Sequence, residues 1–307
     1  MSNSSKWILG IFAGFLGMAI LIFAVAVFMF TAAISGSFRG AFDEDEEVTG
    51  NGSGAVAVIE LLTPITSSEK FVSLCKRYRK RSSVKAIVVR INSPGGAVAP
   101  SQEMYEELRK TREVKPVVIS MGSVAASGGY YVALGGTRIL ANPGSITGSI
   151  GVVSQFINTG ELMKKIGVSQ TTIKSGEFKD LGNPWRRMTD AEKEYWQRTI
   201  NEVYGQFVNA VAHERGISED SVRRIADGRV YTGSQAVSIG LIDSVGTYED
   251  AIALAARLGK ITGEPRIIRK RRRLSFFEEL TGVKTSELKD IGSSLAPTFD
   301  IQYRLRH

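Results

Sequence analysis

Between Lys6 and Arg39 the chain carries no charged residue, and from Trp7 to Ile34 the side chains are apolar or small. A helix rises about 1.5 Å per residue and about 20 apolar residues cross the hydrocarbon layer, so this run spans a membrane with length to spare. A cleavable secretory signal is the competing reading, because Thr31-Ala32-Ala33 resembles a small-residue cleavage region. Its hydrophobic core would far exceed the usual span of about 7–15 residues, and its basic start is only Lys6 plus the amino terminus. The expectation is an anchor over residues 7–34, following a cytoplasmic segment of residues 1–6. The acidic cluster Asp43-Glu44-Asp45-Glu46-Glu47 follows the span and Lys6 precedes it. The positive-inside tendency then puts the remaining chain outside the cytoplasm.

The chain as a whole has the composition of a globular protein, 43% hydrophobic and 23% charged. Its chemistry is limited by what is scarce. A lone Cys75 forms no intrachain disulfide, and with only His213 and His307 a Cys/His zinc site lacks ligands. A Ser-His-Asp triad needs an imidazole beside the nucleophile. His307 is the last residue, and His213 closes a helical pattern, where a cation suits the C-terminal dipole. Hydroxyls, lysines, carboxylates and backbone groups remain. Much of the +8 net charge sits beyond Gly263, where Arg269-Lys270-Arg271-Arg272-Arg273 forms a basic block. No aromatic residue interleaves it, so anionic headgroups or plain solvation explain it better than nucleic acid.

An acidic and Gly/Ser-rich linker, residues 35–54, ends in Thr49-Gly50-Asn51-Gly52-Ser53-Gly54. Apolar runs then alternate with amphipathic stretches, an α/β crossover pattern. Strands are expected at Ala55 to Leu62, Val84 to Ile91, Pro116 to Met121, Arg138 to Ala141 and Gln170 to Ile173. Helices are expected at Ser68 to Arg79 and Ser101 to Arg112. A capping box at Thr189-Asp190-Ala191-Glu192 opens a helix running to Gly216, with Tyr195, Ile200, Val203, Phe207 and Val211 on one face. Three shorter helical units follow, Ser218 to Gly228, Thr232 to Gly240 and Thr247 to Gly259, each with a hydroxyl start and a glycine stop. One compact domain over residues 55–263 is expected, followed by a basic tail, residues 264–307.

Two glycine-rich segments follow predicted strands: Ile91-Asn92-Ser93-Pro94-Gly95-Gly96 and Met121-Gly122-Ser123-Val124-Ala125-Ala126-Ser127-Gly128-Gly129-Tyr130-Tyr131. Ligands of α/β sheets bind at strand carboxyl ends, and glycine lets backbone N–H groups come close. A Walker A loop and a dinucleotide fingerprint are both missing. An acyl-transfer site fits, with Ser127 at a helix start and the Gly128 N–H facing a developing oxyanion. With histidine scarce, the base falls to a lysine. Lowering a lysine pKa from about 10.4 by about three units takes about 4 kcal/mol, within the reach of burial. Lys164, Lys165, Lys174 and Lys179 all remain open on residue chemistry alone.

Ser93-Pro94-Gly95-Gly96, Gly122 to Tyr131, Thr147-Gly148-Ser149-Ile150-Gly151, Lys174-Ser175-Gly176-Glu177-Phe178-Lys179-Asp180 and Asp227-Gly228-Arg229-Val230-Tyr231-Thr232-Gly233 resemble the short form of bacterial signal peptide peptidase A. That family belongs to the S49 serine peptidases, with a Clp protease/crotonase-like superhelix of ββα units. The resemblance implies Ser127 as nucleophile, Lys179 as general base, Ser149 orienting the lysine, and the Gly96 and Gly128 N–H groups as oxyanion hole. It implies no cofactor and no metal. It also implies a homo-oligomeric ring, often an octamer, whose sites draw serine and lysine from neighbouring subunits. Substrates would be remnant signal peptides and other membrane-associated peptides at the bacterial inner membrane, with the catalytic domain extracytoplasmic. The tail could be an autoprocessed extension docking in the ring's own sites. Two rival classes are a catalytically silent membrane scaffold on the same fold and an acyl-CoA enzyme; an external domain argues against the cytosolic CoA.

Overall fold

The computed structural model describes residues 46–270 and 302–304, together with Met18. The chain divides into two units, Met1–Glu46 and Glu47–His307, and the fold described here is that of the second. The expected anchor, most of the linker and most of the tail lie outside the described residues. Among the described residues no helix is long and apolar enough to cross a membrane.

A nine-stranded sheet runs in the order β1 (Glu46–Thr49), β10 (Arg266–Lys270), β2 (Ala55–Leu61), β3 (Val84–Ser93), β5 (Val117–Ala126), β6 (Arg138–Ala141) and β9 (Ser244–Val245). Beyond the β6 register, the far end of β5 pairs with β7 (Ile146–Gly148), and β7 pairs with β8 (Val230–Thr232). The pairs from β10 through β9 are parallel, as is β5–β7, whereas β7–β8 is antiparallel, so the sheet is mixed.

The central strands are nearly continuous apolar runs because helices cover both faces. Side chains alternate between faces along a strand. In β2, Ala55, Ala57, Ile59 and Leu61 enter one core while Val56 and Val58 enter another; in β3, Ile87, Val89 and Ile91 part likewise from Ala86 and Val88. The larger core takes α1 (Glu69–Lys80) through Phe71, Cys75 and Tyr78, and α2 (Val98–Arg112) through Met104 and Leu108. It also takes α3 (Gly128–Ala133) and the C-terminal half of α5 (Asp190–Arg215), which follows the short α4 (Gly160–Lys165). The smaller core is closed by Ala251, Ile252, Ala255 and Ala256 of α8 (Tyr248–Leu258). The capping boxes at Thr189, Thr232 and Thr247 all form, starting α5, α7 (Gly233–Ser238) and α8; α6 (Glu219–Ile225) starts after Ser218.

Three expectations change. Gln170 to Ile173 is not a strand: β-branched residues favour sheets only where a neighbour pairs with them, and Ile173 is 95% exposed. The sheet passes the expected boundary at Gly263, because β10 pairs in register with β2, Ile268 is buried, and Arg269 ion-pairs with Glu47. Finally, only half of the α5 stripe reaches the core. Phe207 and Val211 are buried and Ile200 and Val203 are half-buried, but Tyr195 is exposed.

Candidate active site

Two strand ends converge on Ser127. β5 runs on through Gly122 to Ala126 because side chains at its margin hold the irregular stretch. Asn92 Oδ1 accepts from Val124 N (3.0 Å), Thr147 Oγ1 donates to the Ala125 carbonyl (2.7 Å), and Ser145 Oγ donates to the Gly122 carbonyl (2.5 Å). Ser127 then occupies φ 54°, ψ −118°, between the last residue of β5 and the first of α3. A non-glycine residue there costs on the order of 1–3 kcal/mol and persists only where its surroundings impose it. The surroundings do so: the Ser127 N–H donates to Gly148 O, and its carbonyl accepts from Tyr131 N, both at 2.8 Å. A sharp, strained strand-to-helix turn is how α/β hydrolases present a nucleophilic hydroxyl. Ser127 is 1% exposed, so the hydroxyl lies in a closed environment.

Gly96 and Gly128 meet beside it. β4 (Gly95–Ala97) follows β3 and is pinned along one edge by Ile65, whose N–H donates to Gly95 O and whose carbonyl accepts from Ala97 N, both at 2.8 Å. A methyl group on Gly96 would lie 2.1 Å from the Ile65 carbonyl oxygen, which no side chain survives. A methyl group on Gly128 would lie 3.1 Å from the Gly96 nitrogen and 2.7 Å from Ser101 Oγ. The absence of a Cβ at both positions therefore brings two backbone segments together next to Ser127. On its other edge β4 pairs antiparallel with β11 (Gln302–Arg304), with Tyr303 opposite Gly96. This edge accepts an extended chain.

Ser149 follows β7, in which Gly148 is paired with Ala126, so it stands beside Ser127 at the end of the ladder. It is buried with φ 51°, and its N–H donates to the Arg229 carbonyl at 2.8 Å. Residue chemistry did not single out Asn92, Thr147 or Arg229 as supports. Asn92 and Thr147 are visible only as polar residues inside glycine-rich runs, and Arg229 contributes a backbone carbonyl, which no side-chain pattern reports. Arg229 is itself tied to Asp227, whose carboxyl is drawn down to about 2 by hydrogen bonds from Arg229.

Lys179 is placed differently. It sits in a 3₁₀ turn, Glu177–Asp180, within a long exposed segment between α4 and α5, and is itself exposed. Among the described residues, its amine makes no hydrogen bond to Ser127 or Ser149 within the chain. Of the other candidate lysines, Lys164 and Lys165 end α4, and Lys174 is engaged, donating to Glu177 O (2.8 Å) and Asp180 Oδ1 (2.6 Å). Arg186 and then Lys174 hold the Asp180 carboxyl far below the usual range. His213 is exposed on α5 against Glu214, removed from this chemistry. Among the described residues no cluster of His, Cys, Asp and Glu could hold a metal ion.

A buried, strained serine beside two closely packed glycine backbones is an arrangement suited to acyl transfer. The chain belongs to peptidase family S49, whose model matches residues 109–262, and the Clp protease model matches residues 65–145. It shares 43% identity over 204 residues, 66% of its length and 74% of the relative's, with the Synechocystis sp. protein named "Putative protease slr0021". It is 37% identical over 195 residues to the chloroplastic serine protease SPPA of Arabidopsis thaliana and 34% over 224 residues to Protease 4 of Salmonella typhi. These matches cover 63% and 73% of this chain but only 29% and 34% of the relatives. The fold is thus Clp protease-like α/β, and the relatives support a serine-peptidase function.

Proposed function

We propose that this chain is a membrane-anchored Ser/Lys endopeptidase that degrades remnant signal peptides and other membrane-associated peptides. The observation that carries the reading is the Ser127 turn, strained at φ 54° with the Gly96 and Gly128 backbones at its side. In the proposed reaction, neutral Lys179 takes the Ser127 proton as Oγ attacks a peptide carbonyl. The Gly96 and Gly128 N–H groups hold the oxyanion, and protonated Lys179 passes its proton to the leaving amine. Water then cleaves the acyl-enzyme by the same route, with Ser149 orienting the amine. No cofactor enters these steps. The β4 edge, which takes up β11, offers main-chain pairing to an extended substrate, and the chain's own C-terminal strand would compete for it.

The lysine reaches the serine, in this reading, across a subunit boundary in a homo-oligomeric ring. Two features support that. Ser127 is enclosed while Lys179 is exposed, and the stretch that runs through α4 into the lysine segment displays Ile157, Leu162, Ile166, Val168 and Ile173 to solvent. A second copy covering this face would bury those side chains and desolvate the amine, as a general base near neutral pH needs. The anchor over residues 7–34 would hold the ring at the bacterial inner membrane with the catalytic domain outside the cytoplasm.

The test is peptide hydrolysis by the chain lacking residues before Val48, for wild type, Ser127→Ala and Lys179→Ala. Both variants should be inactive, and mixing them should restore activity, because some mixed rings regain complete sites. Equal rates for all three would end the reading and leave the silent scaffold.

A further inference from the structure

Among the described residues the Lys179 side chain makes no hydrogen bond or ion pair, whereas its backbone is held. On its N-terminal side the Phe178 ring packs against the Tyr195 ring of α5, with centroids 5.1 Å apart and a 32° tilt. On its C-terminal side Asp180 is gripped by Arg186, whose Nε lies 3.0 Å from Oδ2 and whose terminal nitrogen lies 2.8 Å from Oδ1. The other terminal nitrogen of Arg186 reaches Glu192 Oε2 at 2.8 Å. Glu192 is 1% exposed and also closes the α5 capping box, accepting from Thr189 N at 2.8 Å. Glu192 and Tyr195 are three residues apart, one above the other on the same helix face. Both neighbours of the lysine are therefore fastened to the first turns of one helix, whose far half is rooted in the core by Phe207, Val208 and Val211. A surface ion pair alone would be worth little, but a guanidinium forked between two carboxylates fixes geometry in a way one flexible pair does not.

We propose that Asp180, Arg186 and Tyr195 are positioning residues that clamp the turn carrying Lys179 to the start of α5, so that a long flexible lysine is presented from a fixed point. This rests on the Ser/Lys reading. Misplacing a reacting group by about 1 Å costs about 10²-fold in rate. The clamp has the opposite logic from burial: it immobilises the backbone and leaves the amine unengaged for another subunit.

The test uses the full-length chain with Asp180→Asn, Arg186→Met, Arg186→Lys, Tyr195→Ala and Tyr195→Phe, and with Lys179→Ala as reference. Turnover of a peptide substrate is expressed per Ser127 site titrated with a serine-reactive phosphonate. Expected are kcat losses of about 10²-fold for Asp180→Asn and Arg186→Met with KM within about twofold, a smaller loss for Tyr195→Ala, partial rescue in Arg186→Lys, and wild-type turnover for Tyr195→Phe. Wild-type kcat per titrated site in Asp180→Asn and Arg186→Met, with Lys179→Ala inactive, overturns the clamp and leaves the dyad standing. Fewer titratable sites with unchanged kcat per site would mean a folding role only, and also overturns it. Wild-type turnover by Lys179→Ala would instead remove the dyad itself.

Discussion

The surroundings of Ser127 and those of Lys179 are built on opposite plans. Around Ser127, parallel strands, two close-packed glycines and buried hydroxyls leave the serine a single backbone conformation and little solvent. Around Lys179, a segment between two helices stays exposed, and its turn is tied down by Arg186 and Lys174 on Asp180, by Arg186 on Glu192 and by a ring pair. The proposed Ser/Lys reaction would use both: a site that holds an oxyanion must not relax, whereas an exposed side chain stays accessible to a second copy. An enclosed serine with an exposed lysine is how such a site would be divided between two chains.

The largest effect should come from Ser127→Ala. Peptide hydrolysis should fall by about 10⁴-fold or more with the melting temperature nearly unchanged, because only a hydroxyl is removed. Residual turnover near wild type would show that the buried half of the comparison is not where chemistry happens. Next, glycine-to-alanine changes should separate the regions. Gly128→Ala puts a methyl group against Ser101 and the Gly96 nitrogen and should cost about 10²–10³-fold in kcat. Gly176→Ala, with open space around it in the lysine segment, should stay within about twofold of wild type. Equal losses would erase the distinction.

Smaller changes probe the exposed half. Ile173→Asp should leave stability within about 0.5 kcal/mol, as surface changes do. It should nevertheless lower the oligomeric mass measured by light scattering, if a second copy covers this segment.

Acid should loosen the lysine segment before the serine pocket. Hydrogen bonds from Arg186 hold the Glu192 carboxyl at about 2, below its ordinary 4.5, and Arg186 with Lys174 depresses Asp180 too. Groups with a depressed folded pKa add stability that is complete above their ordinary value and is lost as pH falls through the folded one. Hydrogen exchange in residues 170–190 should therefore rise between pH 4.5 and about 2 while β3 and β5 stay protected. Simultaneous opening would show that both regions share one stability. Least of all should happen at Cys75. Burial raises its thiol pKa, so alkylating reagents should leave it unmodified in the folded chain.

Local signals announced most of the buried half. Apolar runs marked β2, β3, β5 and β6, and the Thr189, Thr232 and Thr247 caps marked their helices, because a cap is satisfied within four residues of itself. Gln170 to Ile173 misled for the complementary reason: its composition suits a strand, but pairing depends on a neighbour that never arrives. β10 was hidden inside a basic tail because its pairing partner, β2, lies about two hundred residues earlier in the chain. Tyr195 read as a core residue of an amphipathic stripe, since periodicity reports which face a side chain shares and not how far the core extends beneath it.

By itself, the order of residues determined the α/β alternation, the helix starts, the glycine-rich turns and the types of side chain available for chemistry, all of which depend on near neighbours. The folded chain alone decided that Ser127 is strained and enclosed, that Gly96 and Gly128 meet beside it, and that Lys179 stands apart on a clamped turn. Those facts depend on groups far apart in sequence sharing a few ångströms of space, and local spacing carries no record of which distant backbone will occupy the gap a missing Cβ leaves.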